Sequence, residues 1–250
     1  MLCDRLADVE GAFDVLHQLF TELPGSEELR DGLFDIARKN QRFDRFVSIL
    51  EDVTEHAQDS QQLLELLHLI GKTWREQLGD LEEGGKWIRR ILEESPANAV
   101  AIQEIESIYE ELGQFDEMAA FYEDLMLDLS GNERIPYLLK YAFLKEGQLS
   151  DLVGAIQAYK EVLELQPDNL AAMNRLDGML DNPMLGLAAI ETLEPLYRQS
   201  ADPLRLARLL KSKAAEVEGH LDRSQLFSEA AETLLQAEDQ EEEAFETYRR

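Results

Sequence analysis

The sequence predicts an all-α fold, an α-α superhelix in which helix pairs stack side by side, on three observations. First, Gly79, Gly113 and Gly147 stand at a fixed 34-residue interval, and one further step lands on the turn Asp181-Asn182-Pro183. An interval of that size holds two helices and two turns, a unit that cannot bury its apolar face without a stacked neighbour. Second, one pattern occurs three times at identical offsets: a small residue, apolar residues four and seven positions later, and a proline five beyond. It is met at Ala12, Leu16, Leu19 and Pro24, at Gly84, Ile88, Ile91 and Pro96, and at Ala155, Tyr159, Val162 and Pro167. The small residue lets a paired helix approach closely, the apolar pair fills the seam, and proline, having no amide hydrogen, ends the helix. Third, no stretch joins β-branched enrichment to strict alternation, so strands are not expected.

Taken in order, the chain opens on a helix from Ala12 to Leu23 that has the character of the second member of a pair. Pro24-Gly25 ends it. Leu33, Ile36 and Ala37, then Phe43, Phe46, Ile49, Leu50 and Val53, keep the three-four spacing of one apolar stripe per helix. Asp59-Ser60 starts the next pair, whose first helix carries Leu63 to Ile70 and ends near Gly79; its second runs to Pro96. A third unit covers Asn98 to Gly131, a fourth turns at Gly147 and closes at Pro167-Asp168-Asn169, and a fifth turns at Asp181-Asn182-Pro183. In the segment Met184 to Gln199, Ala189 and Leu193 mark a second helix that Pro195 is expected to kink or restart. Asp202-Pro203 and Gly219-His220 bound the next helix. The next good match to the pattern, Ala244 and Tyr248, comes 55 residues after Ala189 and Leu193, not a whole number of repeats. Either Ala230 and Leu234 mark the second helix of an irregular unit or the array changes phase near Asp202; the first is favoured, because alternating helices do not readily change parity. The expectation is about fourteen helices in a single array over residues 1–250, about seven pairs, starting and ending mid-repeat. Such ends imply an excerpt of a longer array or end-to-end self-association.

The pattern resembles the tetratricopeptide repeat, most fully in Asn98–Gly131, where Ile102, Ile105, Tyr109, Met118, Tyr122 and Leu125 stand at that family's signature positions. Leu78-Gly79-Asp80 and Leu112-Gly113-Gln114, within acid-rich helices, look like long bacterial arrays of this kind. The resemblance implies that first helices line a concave groove. In the first full unit its partner-binding positions are Asp31, Asp35 and Arg38, and in the third they are Gln103, Ser107 and Glu110. One subfamily clamps C-terminal carboxylates with basic groove residues; Asp31 and Asp35 have the wrong sign for that.

Composition narrows the function further. Asp and Glu total 52 against 24 Lys and Arg, a net charge of −28 that repels phosphate backbones and acidic headgroups. Nucleic acid is therefore not an expected partner, and no apolar run is long enough for membrane insertion. Three basic clusters (Arg38, Lys39, Arg42 and Arg45; Lys86, Arg89 and Arg90; Arg205, Arg208, Lys211 and Lys213) are expected to be solvated helix faces. The single Cys3 cannot form an internal disulfide, which predicts a reducing, cytoplasmic compartment; beside Asp4 it is a poor nucleophile.

No catalytic, cofactor or metal site is legible. The four histidines are scattered; Glu65-x-x-His68 has a spacing used by two-metal bundles, but such a site needs a second pair and two further carboxylates. Gly84-Gly85-Lys86 is preceded by three acids and falls inside a helix, so Gly84 reads as a seam residue rather than part of a phosphate loop. Trp74, Trp87, Phe121, Tyr122, Tyr141 and Phe143 are expected mostly in the core. The leading reading is a non-enzymatic scaffold binding a basic protein or peptide on an acidic groove. An architectural spacer or docking segment of a larger multidomain protein is the alternative, and an enzyme is a distant third.

Overall fold

The computed structural model describes residues 9–200, 202–237 and 239–249. Cys3 lies outside them. The described residues form fourteen α-helices and no strand: α1 (Val9–Glu22), α2 (Glu27–Asn40), α3 (Phe43–Thr54), α4 (Ser60–Thr73), α5 (Leu81–Glu94), α6 (Ala99–Leu112), α7 (Phe115–Leu127), α8 (Ile135–Gly147), α9 (Leu152–Leu165), α10 (Leu170–Met179), α11 (Gly186–Gln199), α12 (Pro203–Glu216), α13 (His220–Leu234) and α14 (Glu241–Tyr248). A π-turn, Trp74–Leu78, extends α4, and a 3-10 turn, Gly131–Arg134, leads into α8. This is the all-α helical-repeat class expected from the sequence. Even-numbered helices are the first of each pair and odd-numbered helices the second. The chain divides into two compact units, Met1–Gln114 and Phe115–Arg250.

The breakers of the sequence act as helix N-caps. Ser26, Asp59, Asp80, Asn98, Asp151, Asn169 and Asp202 each accept a hydrogen bond from the backbone amide three residues on. Each such cap is worth about 1 kcal/mol, so these seven turns into a helix are fixed locally. The periodic glycines divide in two. Gly79 (φ 71°) and Gly113 (φ 66°) close α4 and α6 in the left-handed conformation that favours glycine. Gly147 instead ends α8 as a helical residue, and the left-handed position falls on Ser150 (φ 53°). There the turn is longer: Leu149 donates to the Leu144 carbonyl and Asp151 to that of Lys145.

In the first unit the core joins α1 to α4 through Phe13, Phe20, Leu33, Phe46, Ile49, Leu50, Val53 and Ile70. The recurring seam is buried at Ala12, Gly84, Ile88, Ile91, Ala155, Tyr159 and Val162. It fails at Leu19, which is 42% exposed: α1 turns Phe13 and Phe20 inward, and Val15, Leu19 and Leu23 form an exposed stripe at four-residue spacing. At the crossing of α4 and α5 two glycines meet. A Cβ on Gly84 would lie 2.9 Å from the Gly71 carbonyl oxygen, and one on Gly71 would lie 3.1 Å from that of Gly84. Gly84 is thus the seam residue expected, with the backbone of α4 and the stem of Arg75 against it.

In the second unit α12 packs on α11 and α13, and Ala230 and Leu234 of α13 are buried. The alternation of first and second helices therefore continues past Asp202, in the irregular unit favoured from the sequence. Pro195 does not restart α11, which runs unbroken from Gly186 to Gln199, with the proline on its exposed side. Of the six aromatics expected mostly in the core, only Tyr122 is fully buried. Phe143 is 38% exposed, its ring edge-on to Tyr159 at 6.0 Å and beneath the Arg175 guanidinium at 4.9 Å. No described helix is long and apolar enough to cross a membrane.

Candidate protein-binding surface

Polar side chains tie equivalent helices of neighbouring repeats together. In the first unit Arg45 of α3 reaches Asp14 of α1 at 2.8 Å, His17 meets Asp52 at 2.7 Å, and Arg42 pairs with Glu10. His68 of α4 meets Glu104 of α6 at 3.0 Å. In the second unit Arg205 of α12 contacts Asn174 of α10 at 2.9 Å, Ser212 donates to Asp181 at 2.8 Å, and Lys211 reaches Glu243 of α14 at 2.5 Å. Arg198 of α11 bridges to Glu229 of α13 at 2.5 Å, and Lys213 to Glu194 at 2.6 Å. Two of the three basic clusters of the sequence are thus consumed in large part by lateral pairing. Exposed pairs of this kind are individually worth ~0–1 kcal/mol; their effect on the surface is to leave the surplus carboxylates as its unbalanced charge.

The first unit holds a cleft of about 640 Å³ that runs along α4 beside the starts of α2 and α6. Glu27 and Arg30 of α2, Gln61, Glu65, His68, Leu69 and Lys72 of α4, and Asn98, Val100 and Ala101 beside and on α6 are among its lining residues. Its volume is in the range of peptide side-chain and small-molecule sites. A smaller cleft of about 390 Å³ recurs in the second unit between the starts of α10 and α12, lined by Leu170, Met173, Leu196, Asp202 and Arg205 among others.

Asp31, Asp35 and Arg38 all lie exposed on α2, at four- and three-residue steps from Glu27 and hence on the same helix face, C-terminal to the cleft. Arg38 donates to Asp35 at 2.7 Å, and Asp31 accepts from Arg30 at 3.3 Å. Gln103, Ser107 and Glu110 continue the face of Val100 along α6; Ser107 donates to Glu111 at 3.2 Å. All six belong to the first unit, and none lines the cleft itself. The residues that do, on α4, were not singled out from the sequence as partner-binding positions. The signal was present: adding one repeat of 34 to Asp31, Asp35 and Arg38 gives Glu65, Leu69 and Lys72, all three of which line the cleft.

His68 is the titrating group of this surface. Its hydrogen bond with Glu104 raises its pKa above the ordinary 6.5 against the opposing effect of partial burial. For Glu104 burial acts upward, but the His68 bond and charge, with Arg75 and Lys72, bring its pKa below the ordinary value. A histidine whose folded pKa is raised contributes stability fully present below its unfolded pKa and lost as pH rises through the folded value. The His68 contribution to stability is therefore expected to fade as pH rises above the ordinary histidine value of about 6.5, and His68→Gln is expected to flatten that part of the curve. Urea midpoints of both proteins across this window measure the difference; parallel curves would refute the contribution.

No protein-family model matches this chain, and no curated protein matches it. Among solved structures it is similar to a tetratricopeptide repeat protein from Parabacteroides merdae, at 18% identity over 89% of this chain and 97% of that one, with a TM-score of 0.38. It is also similar to the TPR2AB domain–pHSP90 complex of yeast Sti1, at 16% identity over 96% of this chain and 91% of that one, with a TM-score of 0.33. By its own helices and their alternation, the chain is an all-α helical-repeat protein.

Proposed function

We propose that the chain is a non-enzymatic protein-interaction scaffold, reducing-compartment and cytoplasmic in setting, that binds a protein or peptide on the exposed faces of its first helices. The observation that carries this reading is the cleft along α4 beside the starts of α2 and α6, where three successive first helices leave apolar and amide side chains open to a ligand. Asp31, Asp35, Arg38, Gln103, Ser107 and Glu110 extend that surface along α2 and α6 and are its outer contacts. The partner is basic in net charge, because lateral pairing occupies many cations while the chain carries −28 overall. Electrostatics of this kind sets association rate and selectivity more than affinity.

Capture of binders on the immobilised chain at about 50 mM and about 300 mM salt, where screening shortens from ~14 Å to ~6 Å, tests the charge argument. Basic binders that weaken with salt are the expected result. Binders that are acidic, or indifferent to salt, would overturn it. Bacterial origin belongs to the same reading, as does self-association, which light scattering over a concentration series measures directly.

A further inference from the structure

The cleft of the first unit is not uniformly acidic, and its charges are ordered along α4. Gln61, Glu65, His68 and Lys72 succeed one another at four- and three-residue steps, so they form one stripe on one face of the helix. Glu27 and Glu65 both line this surface, and Arg30, which also lines it, is paired with Asp31 at 3.3 Å. Glu65 accepts only an amide hydrogen bond, from Gln61 at 3.1 Å, and is not in an ion pair. At the other end Lys72 is 53% exposed and lies 4.0 Å from Glu76, the outer limit of pairing. His68 has one ring nitrogen on Glu104, which keeps the ring in its protonated form to higher pH and leaves the second nitrogen to donate. Leu64, Leu69 and Val100 line the cleft with them, Leu69 between Glu65 and Lys72 along α4.

We propose that this cleft takes an extended segment of a partner protein that sets a basic side chain against Glu27 and Glu65, an apolar side chain on Leu64, Leu69 and Val100, and a carboxylate against His68 and Lys72. The inference rests on the scaffold reading above and sharpens it: a partner basic overall docks through a segment of mixed charge. Seven helical residues separate Glu65 from Lys72, about 10 Å along the axis, which about three residues of extended chain span. The ligand segment therefore has its Lys or Arg and its Asp or Glu about three residues apart, with an apolar residue between. A uniformly basic segment would place a cation against Lys72, and the like-charge contact selects against it.

A library of random twelve-residue peptides displayed on phage, panned against the full chain, provides the test, with Glu65→Lys and Lys72→Glu as parallel baits. Both positions are exposed, and circular dichroism verifies that the variants fold. The expected result is enrichment of mixed-charge segments of this spacing on the parent chain. Synthetic peptides carrying the selected segments are expected to bind Lys72→Glu and Glu65→Lys at least about 10-fold more weakly, and panning on Lys72→Glu to lose the preference for the acidic residue. Enrichment of purely basic peptides whose affinity is unchanged by Lys72→Glu would overturn the mixed-charge inference while leaving the basic-partner reading intact. No enrichment on any of the three baits would overturn both.

Discussion

Replacing Gly84 with alanine is expected to destabilise the protein, while the same change one residue later, at Gly85, is expected to stabilise it. Both glycines lie inside α5, where alanine is favoured over glycine by about 1 kcal/mol. At Gly85 nothing opposes that gain, since an added Cβ would meet only Ile108 side-chain atoms at 3.6 Å, ordinary contact. At Gly84 the Cβ would stand 2.5 Å from Cγ of Arg75 and 2.9 Å from the Gly71 carbonyl oxygen. The arginine stem can move; the backbone of α4 can retreat only by parting the two helices over Ile70 and Ile88, both fully buried. Overpacking of that sort costs about 1–3 kcal/mol, which exceeds the propensity gain. A bulkier residue, Gly84→Leu, deepens the loss, and Gly71→Ala shows the same sign from the other side, against Ile88 side-chain carbons at 2.5 and 2.8 Å. Urea denaturation of Gly84→Ala and Gly85→Ala, compared with the parent, gives the two signs directly. Equal shifts in one direction would mean that propensity alone governs and that the crossing is not tight.

That pair of residues also shows what the sequence could and could not reveal. Gly84 was legible because the seam pattern repeats: Ala12, Gly84 and Ala155 hold the same offset from a proline. Its counterpart Gly71 was not, because nothing in α4 alone states where α5 will cross it. The same distinction runs through the surface. Turn chemistry is local, so Asp59, Asp80, Asn98 and Asp202 could be read as turn or boundary residues before any packing was known. Leu19 fits the seam on spacing, yet the two phenylalanines of α1, Phe13 and Phe20, decide which face turns inward, and they bury more apolar area than a leucine can. Gly147 keeps the 34-residue interval, but the turn after α8 is set by Ser150 and its neighbours. For the binding surface, the positions on α2 and α6 came from resemblance to a repeat, whereas the cleft is a property of three helices together. It was within reach only through the period that links Asp31, Asp35 and Arg38 to Glu65, Leu69 and Lys72.

A second large effect is expected at Asp177. Its carboxylate accepts the hydroxyl of Tyr197 at 2.8 Å and faces the Arg205 guanidinium at 3.6 Å, with only 13% of its side chain exposed. Burial, and then this bond, push the Tyr197 phenol well above its ordinary pKa, so it remains a donor. The arrangement has a counterpart one repeat earlier, where Tyr159 donates to Glu146 at 2.7 Å and Arg175 approaches that carboxylate at 3.5 Å. In both, an acid on a first helix, a tyrosine on the following second helix and an arginine on the next first helix meet at one point, so three consecutive helices are joined. The acid is the shared partner. Removing it strands a hydroxyl inside a fully buried aromatic and takes the facing carboxylate from Arg205 Nη1, which already lacks a hydrogen-bond partner, although the arginine keeps Asn174 and Asp202; removing the hydroxyl instead leaves the acid and arginine together. Asp177→Ala is therefore expected to cost about 2–3 kcal/mol and Tyr197→Phe only about 1 kcal/mol. The double variant should be scarcely less stable than Asp177→Ala alone, since the hydroxyl no longer needs a partner once it is gone. Because the chain carries −28, loss of a carboxylate relieves repulsion at most surface positions, which makes a destabilising Asp177→Ala diagnostic of the network. Denaturant titrations of the two single variants and the double variant complete the cycle. Additive losses would show that Tyr197 and Asp177 act separately, and that the repeats are joined at this point by packing rather than by the shared acid.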